Sequence, residues 1–161
     1  MVFEYGSGGS TIFMANQVSK IVSVEYELSW FLAIKKIFWK KKIKNCKLYL
    51  VRPEPRTDEN SDYVSSDFRY DHISFKKYVQ TIDRYPNEYF DLVFVDGRAR
   101  NSCIVNAIPK VKNGGYILLD DSERIGYIPA VRKLDRYWKR KFISTDQDVH
   151  KEATIWKIRS N

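Results

Sequence analysis

Short apolar runs alternate with longer segments of helical spacing along most of the chain. Val2-Phe3-Glu4-Tyr5 is the first run, and residues 11–18 follow with Ile12, Ala15 and Val18 on one helical face. Residues 21–25 repeat the short run. Residues 28–42 read as a long helix, with Trp30, Phe31, Ile34, Ile37 and Phe38 spaced for burial and Lys35, Lys36, Lys40, Lys41 and Lys42 elsewhere. A third strand, 46–51, alternates Leu48 and Leu50 against Lys47 and Tyr49. Helices are predicted at 75–85, 102–111 and 127–140, and strands at 91–96 and 116–119. Residues 142–145 and 153–158 read as a closing antiparallel pair. Alternation of this kind predicts an α/β fold with a mostly parallel sheet ending in a β-hairpin. Residues 52–74 stand apart, with two prolines and Asp58, Glu59 and Asp62. A loop of that length in a compact domain is usually functional or mobile.

Gly6-Ser7-Gly8-Gly9-Ser10 joins the first strand to the first helix. Strand, glycine turn and helix start describe a ligand loop at the carboxyl end of a buried strand. Ser10 is predicted as the helix N-cap, leaving N–H groups at that end for an anionic group. The nicotinamide pattern wants glycine where Thr11 stands. Glu25 ends the second strand, and a carboxylate there suits a ribose diol. Glu4, before the glycines, is better explained by a cofactor that carries positive charge. A tight turn without a ligand is the competing reading.

FEYGSGGST, VSVEYE, DLVFVDGRAR and NGGYILLDD, in that order, resemble the motifs of class I S-adenosylmethionine-dependent methyltransferases. The resemblance covers nearly the whole chain. It implies a three-layer Rossmann-like sandwich with a seven-stranded, mostly parallel sheet, and S-adenosylmethionine as cofactor. It also implies one domain, 1–161, without the one or two helices that usually precede the first strand in that family. A longer natural chain, or a partner chain that supplies the lid, would account for that.

Strand ends are site candidates in open α/β sheets. Gly6 and Gly8 would allow backbone approach to the cofactor, with Tyr5, Ser7 and Ser10 in the same loop. Glu25 would accept from the ribose hydroxyls, and Tyr26 would border the adenine. Glu4 would act through the loop's structure. Asp67 and Phe68 would add a hydrogen bond and a stacking face, and Asp96 and Gly97 would close the set. Metal-dependent catechol-type O-methyltransferases hold magnesium with an acid after the fourth strand and an acid–amide pair after the fifth. Asp96 and Asp120 match that pattern as catalytic and metal-binding residues, while Asp121 stands where the amide would be. Helix capping or pairing with arginine is the structural alternative for these acids. Arg98 and Arg124 could clamp a carboxylate or phosphate of the substrate, or neutralise the acids beside them. His72 and His150 are general-base candidates by residue type alone.

Composition narrows the partners. The 161 residues suffice for one domain with a sizeable core. No apolar run approaches the ~20 residues that span a bilayer, and no signal peptide precedes the first strand, so membrane insertion is not expected and a cytoplasmic location is. Cys46 and Cys103 lie far apart, without metal-site spacing, as reduced thiols would. A net charge of +8 favours anionic partners. The activity expected is O-methylation of a small polar molecule. RNA methylation through the basic 35–47 segment is the first alternative. A non-catalytic interaction domain is the second, its apolar patch covered by a partner or a second copy of the chain.

Overall fold

The computed structural model describes residues 1–146 and 149–159. The first two apolar runs are strands without an exposed position, β1 (Val2–Tyr5) and β2 (Ile21–Glu25). Between them lies α1 (Gly9–Ala15), and α2 (Leu28–Lys41) leads on to β3 (Cys46–Leu50). The excursion at 52–74 holds a miniature antiparallel pair, β4 (Glu54–Pro55) and β5 (Ile73–Ser74), with 3₁₀ turns at 58–60 and 68–70. Then follow α3 (Lys76–Val79), β6 (Phe90–Val95), α4 (Arg100–Ala107), β7 (Val111–Leu119) and α5 (Ile128–Leu134). The strands β8 (Trp138–Asp146) and β9 (Val149–Lys157) end the fold.

Seven strands form one sheet in the order β3-β2-β1-β6-β7-β9-β8. The first five are parallel, while β9 runs antiparallel to β7 and β8 antiparallel to β9. The chain moves outward from β1 to β3, then returns to lay β6 on the other side of β1. The carboxyl ends of β1 and β6 therefore meet at a topological switch point.

Alternation along β1 sends Phe3 and Tyr5 to one face of the sheet and Val2 and Glu4 to the other. Phe3, Tyr5, Phe75, Tyr78 and Phe90 form the aromatic centre of the larger core, with edge-on contacts such as Phe3–Phe90 at 5.3 Å. Val2, Ala15 and Ile21 make a smaller cluster under α1.

Three expectations change. The first helix starts at Gly9 with Gly8 as its N-cap, not at Ser10, because the Ser10 hydroxyl is drawn to Glu4 at 2.5 Å. Residues 138–140, expected to be helical, belong to β8, where Trp138 pairs with Lys157. Pairing with a long neighbour there overrides local helix spacing. Asn113-Gly114-Gly115, expected as a turn before a strand, lies inside β7 at a register shift opposite Phe90–Leu92. A Cβ on Gly115 would stand 2.9 Å from the Asp91 carbonyl oxygen, so the strands close only over glycine.

Candidate functional site

A pocket of about 510 Å³ opens at the switch point. It is lined after β1 by Gly6 and Ser7, after β2 by Glu25, Tyr26 and Glu27, and after β6 by Asp96, Gly97 and Arg98. Trp30 of α2, Asp67 and Arg69 of the excursion, Arg100 of α4 and Arg124 after β7 complete the wall.

The glycine loop is held from below by a buried acid. Glu4 is 0% exposed and accepts hydroxyl hydrogens from Ser10 at 2.5 Å, Thr11 at 2.5 Å and Ser23 at 2.7 Å. Thr11 in turn accepts the Gly8 N–H at 2.8 Å, which ties the loop to the start of α1. Burial pushes Glu4 up to about 7, against the pull of its three hydroxyl partners. Gly6, at φ +93°, turns the chain out of β1 and comes against Gly97. A Cβ on Gly97 would lie 3.0 Å from the Gly6 nitrogen and 2.0 Å from the Tyr78 hydroxyl, so two loops and a core tyrosine converge where only glycine fits.

Glu25, 3% exposed, presents a fully engaged carboxylate. Oε1 accepts from the Tyr26 and Glu27 N–H groups at 2.8 and 2.9 Å. Oε2 accepts from Ser7 N–H at 3.2 Å and Ser7 Oγ at 2.8 Å. Glu27 caps α2 through Ser29 and Trp30 N–H groups, and the Trp30 indole N–H donates to the Ser7 carbonyl at 2.6 Å.

Opposite, Arg98 lies over the Tyr70 ring at 4.5 Å and donates to the Tyr26 hydroxyl at 3.1 Å and to Asp67 at 3.4 Å. Asp67 also pairs with Arg69 at 2.6 Å, and hydrogen bonds from Arg69 hold its carboxyl down near 2. Arg100 is the organiser of the β6 and β7 ends. It donates to the carbonyls of Gly97, Asp96 and Asp120 and pairs with Asp96 at 3.1 Å and Asp121 at 3.4 Å. Burial drives Asp96 up to about 7, with Arg100 opposing and the charge and hydrogen bond of Asp120 adding.

Gly6, Ser7, Glu25, Tyr26, Asp67, Asp96, Gly97, Arg98 and Arg124 therefore share one pocket, as the sequence suggests. Other expected contacts lie elsewhere. Tyr5 is core, its hydroxyl donating to the Val79 carbonyl at 2.7 Å. Glu4, Gly8 and Ser10 support the loop without lining the pocket, and Phe68 points away, 84% exposed. Asp120 touches Asp96 from behind the lining. The magnesium triad does not assemble. Asp121, at φ +50°, turns to Arg124 at 2.6 Å and Arg100, and no three His, Cys, Asp or Glu side chains among the described residues converge as a metal site. His72 is exposed beside Asp71, and the side chain of His150 lies outside those described. Glu27, Trp30 and Arg69 are not singled out as site residues by the sequence, whereas pairing of Asp96 with a nearby arginine, the structural alternative for that acid, is what Arg100 provides at 3.1 Å. For Trp30 the helical spacing pointed to the core, and only the strand order reveals a pocket wall.

No protein-family model matches the chain, and no curated protein does. Solved structures do match in fold. An rRNA methylase from Streptococcus thermophilus superposes with a TM-score of 0.67 at 12% identity, over 99% of this chain and 87% of its own. An O-methyltransferase of tomaymycin synthesis from Streptomyces achromogenes, solved with S-adenosylmethionine, gives 0.70 at 15% identity, over 99% and 73%. A precorrin-6y C5,15-methyltransferase from Geobacter metallireducens gives 0.63 at 16%, over 97% and 79%. The chain has the class I methyltransferase fold. Among the described residues, no helix is long and apolar enough to cross a membrane.

Proposed function

We propose that the chain is an S-adenosylmethionine-dependent methyltransferase that acts on a hydroxyl of a small polar molecule. The observation that carries this reading is the switch-point pocket, where the Gly6–Gly97 contact stands beside the Glu25 carboxylate. Its volume falls within the ~300–1,000 Å³ of small-molecule sites. Four acids and four arginines line it, and Glu25 and Glu27, which form no ion pair among the described residues, suit the hydroxyl and amino groups of the cofactor, so the residues present fit it. Gly6 and Ser7 would meet it through backbone, Glu25 through the ribose hydroxyls, and Tyr26, Asp67 and Gly97 along the remaining wall. When bound, the cofactor supplies an electrophilic methyl group.

The chain's own groups do the rest. Both Glu25 oxygens are already paired, so ribose hydroxyls would exchange with Ser7, whose N–H and hydroxyl bond the outward Oε2. Tyr26 and Glu27 N–H groups keep Oε1 fixed during that exchange. Asp96 is poised to take a proton from an acceptor hydroxyl, because a group near 7 is partly ionised at neutral pH and basic enough to serve. Arg98 and Arg124 face the same space, and an acceptor bearing a carboxylate or phosphate would be oriented by them. No step is assigned to a metal, since Asp121 is committed to two arginines.

Calorimetric titration with S-adenosylmethionine and S-adenosylhomocysteine tests the reading. Binding near micromolar that is lost in Glu25→Ala is the expected result. A wild-type chain that binds neither compound at millimolar concentration would overturn it.

A further inference from the structure

The net positive charge of this protein is concentrated in one segment. Residues 28–51 contain seven lysines and no acidic residue. The remaining 21 basic residues face 20 acidic ones, so the rest of the chain is nearly neutral. Lys35, Lys36, Lys40, Lys41, Lys42, Lys44 and Lys47 are all exposed, and none forms an ion pair among the described residues. Ordinary surface lysines are interspersed with acids; this set is not.

The helix at the start of that segment also exposes apolar groups in a pattern. α2 buries Ile34 and Phe38, yet Leu28, Leu32 and Trp39 on its other side are 43%, 56% and 80% exposed. At 3.6 residues per turn these three fall within an arc of about 40° and form a ridge about 16 Å long. Lys35 flanks that ridge on one side and Lys36 and Lys40 on the other. At its end Lys42, in the left-handed region, turns the chain back, and a recess of about 970 Å³ opens beneath Trp39, walled by Lys35, Lys42 and Lys44.

We propose that this outer face of α2 docks on an anionic phospholipid bilayer, with Leu28, Leu32 and Trp39 entering the headgroup region and the lysines meeting lipid phosphates. An apolar ridge edged by lysine is the arrangement that lies in a membrane interface. The composition favours lipid over RNA. Every cation from 28 to 51 is lysine, whereas arginine is the residue that stacks on bases and grips phosphate with two bonds. Exposed leucines have no counterpart on a nucleic acid backbone, and acyl chains offer them one. This docking is independent of the methyl-transfer reading. It would hold the pocket beside the bilayer, because α2 begins at the pocket wall with Glu27 and Trp30.

Co-sedimentation with vesicles tests the proposal. Binding is expected to mixed phosphatidylcholine–phosphatidylglycerol vesicles, to be weaker with added salt, and to be absent from pure phosphatidylcholine. Leu32→Ser with Trp39→Ser should lower partitioning at least about tenfold, since each loses an apolar insertion. Lys35→Gln with Lys36→Gln should lower it about 25-fold, at roughly fivefold per lysine near an anionic surface. Both lysines are exposed and unpaired with any acid among the described residues, so this variant serves as the check should the apolar pair misfold. No binding to anionic vesicles overturns the proposal, as does unchanged binding by the lysine variant or by a folded serine variant. Binding of wild type to single-stranded RNA without vesicle binding would overturn it in favour of a nucleic acid face. A dimer that Leu32→Ser and Trp39→Ser dissociate, again without vesicle binding, would overturn it in favour of self-association.

Discussion

Glu4→Gln should remove a pH dependence of stability that a buried acid imposes on this fold. Glu4 stands at about 7, raised from its ordinary 4.5 by burial in the sheet under the glycine loop. Between those two values the folded chain keeps a proton that the unfolded chain has released. Stability contributed by that proton is fully present below about 4.5 and is lost as pH rises through about 7. At 1.36 kcal/mol per pKa unit the loss is about 3 kcal/mol. Glutamine reproduces the protonated side chain. Its carbonyl can accept from Thr11 and Ser23 where Oε2 now does, and its amide can donate to Ser10, whose hydroxyl is free to reverse. Urea unfolding of both proteins from about pH 4 to about pH 8 measures the difference. The two should be equally stable at the acid end, with the variant more stable by about 3 kcal/mol at the alkaline end. Groups of opposite sign, such as Asp67 near 2 and the lowered Asp91, are common to both and cancel. Curves that run parallel across the range would refute the reasoning, and would mean that three hydroxyl donors outweigh burial and keep Glu4 ionised.

Tyr78→Phe should stabilise the protein by about 1 kcal/mol, because the Tyr78 hydroxyl is buried without a hydrogen-bond partner among the described residues. A loss of similar size on urea unfolding would show that the hydroxyl is satisfied. Gly97→Ala should cost about 1–3 kcal/mol, and Tyr78→Phe in the same chain should return part of that by removing the atom 2.0 Å from the new methyl; strict additivity of the two changes would contradict the clash. Asp96 should titrate near 7 by carboxyl carbon NMR, and Asp120→Asn should lower its midpoint by removing a neighbouring charge and hydrogen bond. A wild-type midpoint in the ordinary carboxylate range would count against Asp96 as a proton acceptor.

Much of the site was legible in the chain because the elements that carry it are local. A glycine-rich turn after a buried strand, and an acid at the end of the next strand, are short-range patterns, and Gly6, Ser7, Glu25 and Gly97 came together as those patterns require. Residues whose role depends on a distant partner were misjudged. Ser10 caps nothing because Glu4, six residues away, competes for its hydroxyl. Tyr5 follows an acid in the loop motif, but the period-2 pleat sends it to the opposite face. Phe68 is in the right loop, and a 3₁₀ turn held by Asp67 and Arg69 aims it outward.

The sequence by itself determined the class of fold, the order of its elements and the strand ends at which a ligand would sit, since burial periodicity and glycine turns are written residue by residue. Tertiary structure alone decided which acids remain available. Arg100, a single cation from one helix, gathers Asp96 and Asp121 with the carbonyls of two strand ends, and so leaves Asp96 near neutrality in the pocket wall while the metal triad that spacing allowed does not form. It also decided that Leu32 and Trp39 face outward among lysines, because a helix buries only one side against a sheet and spacing does not say which apolar residues are left over.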